Sequence, residues 1–229
     1  MREEKIIDAI LKYTKGFETH IVFSFEKREL TRFGDNEISQ NVSSSDVSVN
    51  VRITDGERVH KFRISKFDSD SLRENISQEI SNMKHLNKAS YIPFPTTSVI
   101  KIDSKRYFDE ETMNILPAQR ALKIKKFLNF CSKTGRLAYG TISNNLGVII
   151  VANSSGIFQR QKYTSLEYEI TVNKDGGYGK AVGYSYKDDL NIDEINENAV
   201  KKSDLSRNPI EIKPERYSVI IEPLAVSEI

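Results

Sequence analysis

The run VSVNVRI at residues 47–53 alternates strictly between apolar and polar side chains. Since successive side chains of a strand point to opposite faces, this run predicts a strand with one buried and one polar face. Asp55-Gly56 follows, and then a second strand-like run at residues 59–64, which predicts a tight hairpin. An antiparallel sheet with one buried face is therefore expected at the centre of the fold.

Strand signals extend upstream of this hairpin. Residues 21–25 predict a strand that residues 29–33 continue or follow, and Gly34-Asp35-Asn36 is a turn signal. Residues 38–42 predict the next strand. Ser43-Ser44-Ser45-Asp46 predicts another turn, because small polar residues cluster where the chain reverses.

Helices are predicted on both sides of these strands. Apolar residues at helical spacing predict an amphipathic helix over residues 3–15, ended by Gly16. Ser69 or Asp70 is expected to cap a second helix whose inner face carries Leu72 and Ile76. Residues 1–88 thus predict a unit of helix, antiparallel strands and helix.

The second half of the sequence predicts the same order of elements. A helix begins at Pro117 and ends at Gly135, and Ser143-Asn144-Asn145 predicts the turn of a hairpin. Three more strands and a helix from Ile192 follow. Two explanations remain open: an ancient duplication, or two uses of a common arrangement in which a hairpin precedes a capped helix.

These patterns predict an α+β fold of two helix-flanked antiparallel sheets. The expected division is an N-terminal domain at 1–88, a linker or crossover at 89–110 that contains Pro93 and Pro95, and a second domain at 111–229. Residues 217–221 predict a further strand, and Pro223 begins another helix. The sheet neighbours of that strand are expected in missing sequence or in a partner chain.

Composition narrows the classes of function. The formal net charge is +2, from 34 basic and 32 acidic residues, which argues against a dedicated nucleic-acid binder. The sequence has no apolar run long enough to span a membrane and no apolar N-terminal leader, so a cytoplasmic protein is expected. The single cysteine, Cys131, shares a helical stripe with Phe127 and Leu128 and is expected to fill the core.

Four stretches together resemble one protein family. They are residues 30–41 (LTRFGDNEISQN), 49–59 (VNVRITDGERV), 151–158 (VANSSGIF) and 206–223 (SRNPIEIKPERYSVIIEP). In this order they are similar to the TldD/PmbA family, historically described as modulators of DNA gyrase. The resemblance spans nearly the whole chain and ends where the family's C-terminal half would begin.

The resemblance implies a metallopeptidase subunit or an inactive paralogue, paired as a dimer around a cavity that receives unfolded peptides. It also implies a zinc site in the C-terminal half, on a His-Glu-x-x-x-His helix with a later cysteine. This chain lacks that motif, since none of His20, His60 and His85 is followed by glutamate. No cofactor is therefore expected in this chain, and zinc is expected only in a C-terminal half or a partner.

The favoured hypothesis is a noncatalytic half that helps to hold an extended peptide, through sheet edges open to strand addition. The expected partner is a family paralogue or a C-terminal half, in a homo- or heterodimer. The candidate substrate-binding residues are Arg32, Asn36, Asn41 and Asn153, which also suit hydrogen bonding in turns and at strand ends. The alternatives are a solitary binding module without a peptidase role and a modulator that associates with gyrase or DNA.

Overall fold

The computed structural model describes residues 3–89, 103 and 106–226. Helices and one antiparallel sheet make up two layers, in agreement with the predicted α+β class. The elements are α1 (Glu3–Tyr13), β1 (Glu18–Gly34), β2 (Glu37–Thr54), β3 (Val59–Ile64), α2 (Ser69–Met83), α3 (Glu110–Met113), α4 (Pro117–Lys133), β4 (Leu137–Asn153), β5 (Phe158–Lys174), β6 (Gly177–Ser185), α5 (Ile192–Leu205) and α6 (Pro223–Val226).

The strands form a single six-stranded sheet in the order β3-β2-β1-β4-β5-β6. The prediction of two separate sheets was therefore wrong. β1 and β4 pair antiparallel from His20 opposite Asn153 to Phe33 opposite Gly140, so the two halves of the chain join along the middle of one sheet. Helix, antiparallel strands and helix do occur in each half, as predicted, but each half has three strands where a larger number of shorter strands was predicted. A common origin of the two halves remains a prediction.

Two of the predicted turns lie inside long strands. Residues 43–46 continue β2 and pair with β1, and residues 143–145 continue β4. Small polar residues favour turns, but here their side chains form hydrogen bonds with other elements or face solvent. Asn144 and Asn145 are buried and hydrogen-bonded to neighbouring elements, whereas residues 43–46 are exposed. Polar residues inside a strand cost little when they are satisfied in this way.

The segment after α5 differs from the prediction as well. Residues 217–221 form no strand, and the side chain of Ile220 is fully exposed. The helix predicted from Pro223 is confirmed as α6. Most of the predicted linker at 89–110, including Pro93 and Pro95, lies outside the described residues. The division into domains at 88 and 111 stays a prediction.

Helices α1 to α5 pack on one face of the sheet and enclose two apolar cores. The first core joins α1 and α2 to β1, β2, β3 and the end of β4. The second core joins α4 and α5 to β4, β5 and β6, with Phe33 from the end of β1. Inward residues of each strand alternate with residues on the opposite face, as predicted for the run at 47–53.

A fully buried arginine lies between the two cores. Arg120 Nε donates to Thr31 Oγ1 of β1 at 2.9 Å, and its Nη1 donates to Asn144 Oδ1 of β4 at 2.6 Å. Nη1 also donates to the carbonyl of Ile115 at 3.0 Å. Burial lowers the pKa of Arg120, and Glu29 partly offsets that effect. One side chain at the start of α4 thus fastens the helical layer to both central strands.

Replacing Arg120 with methionine is expected to destabilise the protein by about 3 kcal/mol. Methionine fills similar volume, but it leaves the Asn144 and Ile115 oxygens buried without a donor. Urea unfolding followed by circular dichroism measures the difference. Lys125→Met, at an exposed position of the same helix, is the matched control and is expected to change stability by less than about 0.5 kcal/mol. Equal stability of the two variants would contradict the role given to Arg120.

Cys131 lies in the second core, as predicted, with no exposed surface. Burial raises the pKa of its thiol to about 11. Because the thiolate is the reactive form, the native protein is expected to react with a thiol reagent at pH 8 at least a hundredfold more slowly than in denaturant. Stopped-flow labelling checks this expectation, and equal rates in the two conditions would place Cys131 outside the core.

Candidate functional site

The second face of the sheet carries none of the helices α1 to α5, all of which pack on the first face. We call this surface the open face. It consists of the outward residues of all six strands, including His20, Val22, Ser24, Glu26, Arg28, Leu30 and Arg32 of β1, Tyr139, Ser143, Asn145, Gly147 and Ile149 of β4, Tyr163, Ser165 and Glu167 of β5, and Tyr178, Val182 and Tyr184 of β6. A sheet face of this size that no described helix covers is a surface on which an extended ligand can lie.

A polar cluster occupies the centre of the open face. Asn145 Nδ2 donates to Ser165 Oγ at 2.8 Å and to Glu167 Oε1 at 3.0 Å. Ser165 Oγ lies 3.1 Å from the same carboxylate oxygen. Arg28 Nη2 is 3.9 Å from Glu167 Oε2, so the cluster reaches from β5 across β4 to β1.

Two atoms of this region have unused hydrogen-bonding capacity. Ser143 is 1% exposed and Asn145 is 4% exposed, although no described helix covers them. Ser143 Oγ and Asn145 Oδ1 have no hydrogen-bond partner among the described residues. Buried polar atoms are nearly always satisfied by protein, water or ligand. The centre of the open face can therefore accept and donate further hydrogen bonds.

Tyr163 lies beside this cluster and covers Gly147. A Cβ atom at Gly147 would overlap the Tyr163 ring, so only glycine permits this position of the ring. Burial raises the pKa of Tyr163, and Glu26, Tyr184 and Glu167 raise it further. The hydroxyl therefore stays protonated at neutral pH and remains available as a hydrogen-bond donor.

Exposed aromatic residues of β4 and β6 lie on the open face. Tyr178 and Tyr184 of β6 are 64% and 65% exposed, and Val182 lies between them on the same strand. Tyr139 of β4 donates to Asp35 Oδ1 at 2.7 Å, which raises its pKa. We call these four residues the tyrosine patch. Tyrosine offers apolar area and a hydrogen bond at low entropic cost, and it is enriched at binding surfaces.

The four residues singled out from the sequence occupy separate positions. Arg32 is exposed on the open face, where it pairs in register with Thr141. Asn153 lies at the other end of β4, about 40 Å away along the strand. The structure therefore does not gather these residues into one site.

The asparagines among them make local hydrogen bonds. Asn36, in the left-handed region with φ of 65°, donates to the Arg136 carbonyl at 2.7 Å and accepts from the Ala138 amide at 2.8 Å. Asn153 accepts from the amides of Ser155 and Ile157 and so shapes the turn after β4.

Asn41 accepts a hydrogen bond from Thr31 Oγ1 at 2.6 Å and is thereby linked to Arg120. These bonds hold turns and strands. A role for Arg32, Asn36, Asn41 or Asn153 in substrate contact stays a prediction.

The polar cluster was missed from the sequence. The sequence places Asn145 in a predicted turn, Glu167 in a predicted strand and Ser165 just before that strand, and none of the three belongs to a motif. These residues meet only because β4 and β5 pair with Asn145 opposite Ser165 and Ser143 opposite Glu167. The sequence shows polar residues at alternate positions of these two strands. It does not show the register between the strands, which brings those residues together.

Zinc ligands are not gathered in the described part of the chain. No group of three or more His, Cys, Asp or Glu side chains in residues 3–89, 103 and 106–226 could hold a metal ion. His60 Nε2 is bonded to Glu79 Oε2 at 2.7 Å on the helical side, whereas His20 lies on the open face. In the same part of the chain, no helix is long and apolar enough to cross a membrane.

Residues 103–206 match the model of the PmbA/TldA metallopeptidase central domain. This match agrees with the resemblance to the TldD/PmbA family that the sequence motifs indicate. The matched region contains β4, β5, β6 and the helices around them, and so includes most of the polar cluster and the whole tyrosine patch. No curated protein sequence matches the chain.

Solved structures share the fold of this chain. TldE from Thermococcus kodakarensis is 18% identical, with a TM-score of 0.72 over 90% of this chain and 48% of that one. A protein from Bacteroides thetaiotaomicron, described as a modulator of DNA gyrase, is 14% identical with a TM-score of 0.74 over 87% and 49%. A similarly described protein from Thermotoga maritima is 15% identical, with a TM-score of 0.67 over 87% and 47%. The chain therefore spans about half the length of these structures.

Proposed function

We propose that this chain is the noncatalytic N-terminal half of a TldD/PmbA-like metallopeptidase subunit. In this proposal the open face lines the cavity that holds an unfolded peptide, and zinc chemistry is supplied by a C-terminal half or a partner subunit. The observation that carries the proposal is a sheet face that no described helix covers. Polar atoms without a described partner lie at its centre, and exposed tyrosines lie beside them.

The chemistry of this face suits a ligand without a fixed sequence. Asn145, Ser143 and the Tyr163 hydroxyl offer hydrogen bonds that a peptide main chain can satisfy, because every residue except proline has both a donor and an acceptor. The tyrosine patch adds apolar contact that many side chains can use. Neither component selects one particular residue type, as the degradation of unfolded peptides requires.

The two sheet edges differ in their capacity for strand addition. Along β6, Lys202 Nζ donates to the Lys180 carbonyl at 3.1 Å, and Ser206 Oγ donates to the Tyr178 carbonyl at 2.8 Å. Part of that edge is therefore already used by α5. No described strand pairs with the outer edge of β3, so β3 is the edge we propose for main-chain pairing with a peptide.

The binding role is tested with the full chain and a 15-residue unfolded peptide of glycine, serine, alanine and leucine. The peptide carries a neutral fluorescent dye, and binding is measured from the fluorescence anisotropy of that dye. Replacing both Tyr178 and Tyr184 with serine is expected to weaken binding at least fivefold, since two exposed aromatic contacts are lost. The matched control replaces Leu122 and Leu205, exposed on α4 and α5, with serine and is expected to bind as the wild type does. Equal loss in both variants would contradict a role for the open face.

The division of labour is tested by metal analysis and a peptidase assay. The chain alone is expected to retain less than about 0.1 zinc per molecule and to leave a fluorogenic peptide uncut, because it lacks the His-Glu-x-x-x-His motif. Activity is expected only when a family partner or C-terminal half with that motif is added. One tightly bound zinc per chain, or hydrolysis by the chain alone, would overturn the noncatalytic assignment.

A further inference from the structure

Basic side chains gather at the β3 corner of the open face. Lys61 of β3 lies opposite Arg52 of β2, and Arg52 lies opposite His20 of β1. Arg63 lies opposite Asn50 in the next row. Because paired residues share a face, the register places all of these side chains on the open face. We call His20, Arg52, Lys61 and Arg63 the basic corner.

The basic corner lines a depression of about 520 Å³, together with Val22 and Asn50. This volume is within the range of about 300 to 1,000 Å³ that is typical of small-ligand sites. The depression adjoins the edge of β3 and is far along the strands from the tyrosine patch. It therefore forms a separate part of the open face, at one end of the surface.

Two cations of this corner, Lys61 and Arg63, are only weakly neutralised by the described residues. Arg63 Nη2 is 3.5 Å from Asp46 Oδ2, but both side chains are more than half exposed, and such a pair contributes little. Lys61 forms no ion pair with any described residue. Glu18 is on the same face, but it is exposed and lies beyond His20 at the end of β1.

Burial and the positive charge of Arg52 both act on the ionisation of His20. Burial lowers its pKa, and the neighbouring Arg52 guanidinium lowers it further. An imidazole in such a field is neutral at pH 7 and can still donate one hydrogen bond. The depression thus combines a positive potential with several N–H donors, which is the environment that stabilises a bound anion.

We propose that the basic corner binds the C-terminal carboxylate of the peptide held on the open face. This inference rests on the proposed function. A carboxylate is planar and matches the forked N–H groups of Arg63, and the Asn50 amide and Lys61 ammonium can complete its hydrogen bonds. A carboxylate at this corner places the end of the peptide beside β3 and leaves the rest to extend along the face. The chain would thus fix the end of a substrate without reading its sequence.

The test compares two peptides that differ only at the C-terminus, one a free carboxylate and the other an amide. Both are measured by anisotropy with the full chain at low ionic strength. The wild type is expected to bind the acid at least tenfold more tightly, as charge-assisted hydrogen bonds imply. In Lys61→Ala/Arg63→Ala that preference is expected to fall below threefold. Lys125→Ala/Lys133→Ala removes the same charge from exposed positions of α4 and is expected to keep the full preference.

The outcomes separate this inference from the proposed function. Equal binding of acid and amide by the wild type would overturn the carboxylate site and leave the peptide-binding face in place. Binding of neither peptide would defeat both. An amidated peptide with one internal glutamate that binds as well as the acid would overturn the assignment to the C-terminus. Displacement of the acid by lower concentrations of single-stranded DNA than of peptide would assign the corner to phosphate instead. Thermal unfolding of the double variant verifies that it is folded, as the exposure of Lys61 and Arg63 predicts.

Discussion

The guanidinium of Arg120 fastens helix α4 to the two central strands of the sheet. The two cores lie side by side on one face of the sheet, and between them the inward surface is polar. Arg120 fills that position from α4 and binds Thr31 and Asn144 on the paired strands β1 and β4. Its hydrogen bonds are directional, so they fix the helical layer relative to the middle of the sheet in a way that apolar contact alone does not.

The open face depends on this arrangement. All of the large helices pack on one side, against the two cores, and the other side of the same strands keeps Tyr178 and Tyr184 exposed. The polar cluster crosses the β1–β4 seam, with Arg28 on one strand and Asn145 on the other. A shift of either strand by one residue would send these side chains to the helical side. The pairing register of β1 and β4 therefore determines which side chains form the proposed binding surface.

Local patterns in the sequence predicted most elements but not their assembly. The sequence predicted the alternation at 47–53, the helix that begins at Pro117 and the repeated order of elements. Each of these features depends on residues that are close together in the chain. The sequence did not predict the single sheet or the polar cluster, because both depend on the pairing of β1 with β4 and of β4 with β5. Asn144 and Asn145 show the reason: the same residue types favour a turn when exposed and a strand when hydrogen-bonded inside a fold.

The seam between β1 and β4 also constrains the order in which the chain can fold during synthesis. β2 can pair with β1 early, because a short turn at Asp35-Asn36 joins them. The partner of the other edge of β1 lies on the order of a hundred residues further along the chain. Until the ribosome has delivered β4, that edge presents unpaired main-chain groups, which are prone to associate with other strands. During that stage, a chaperone or the same edge of a second chain can bind the unpaired edge of β1 in competition with β4.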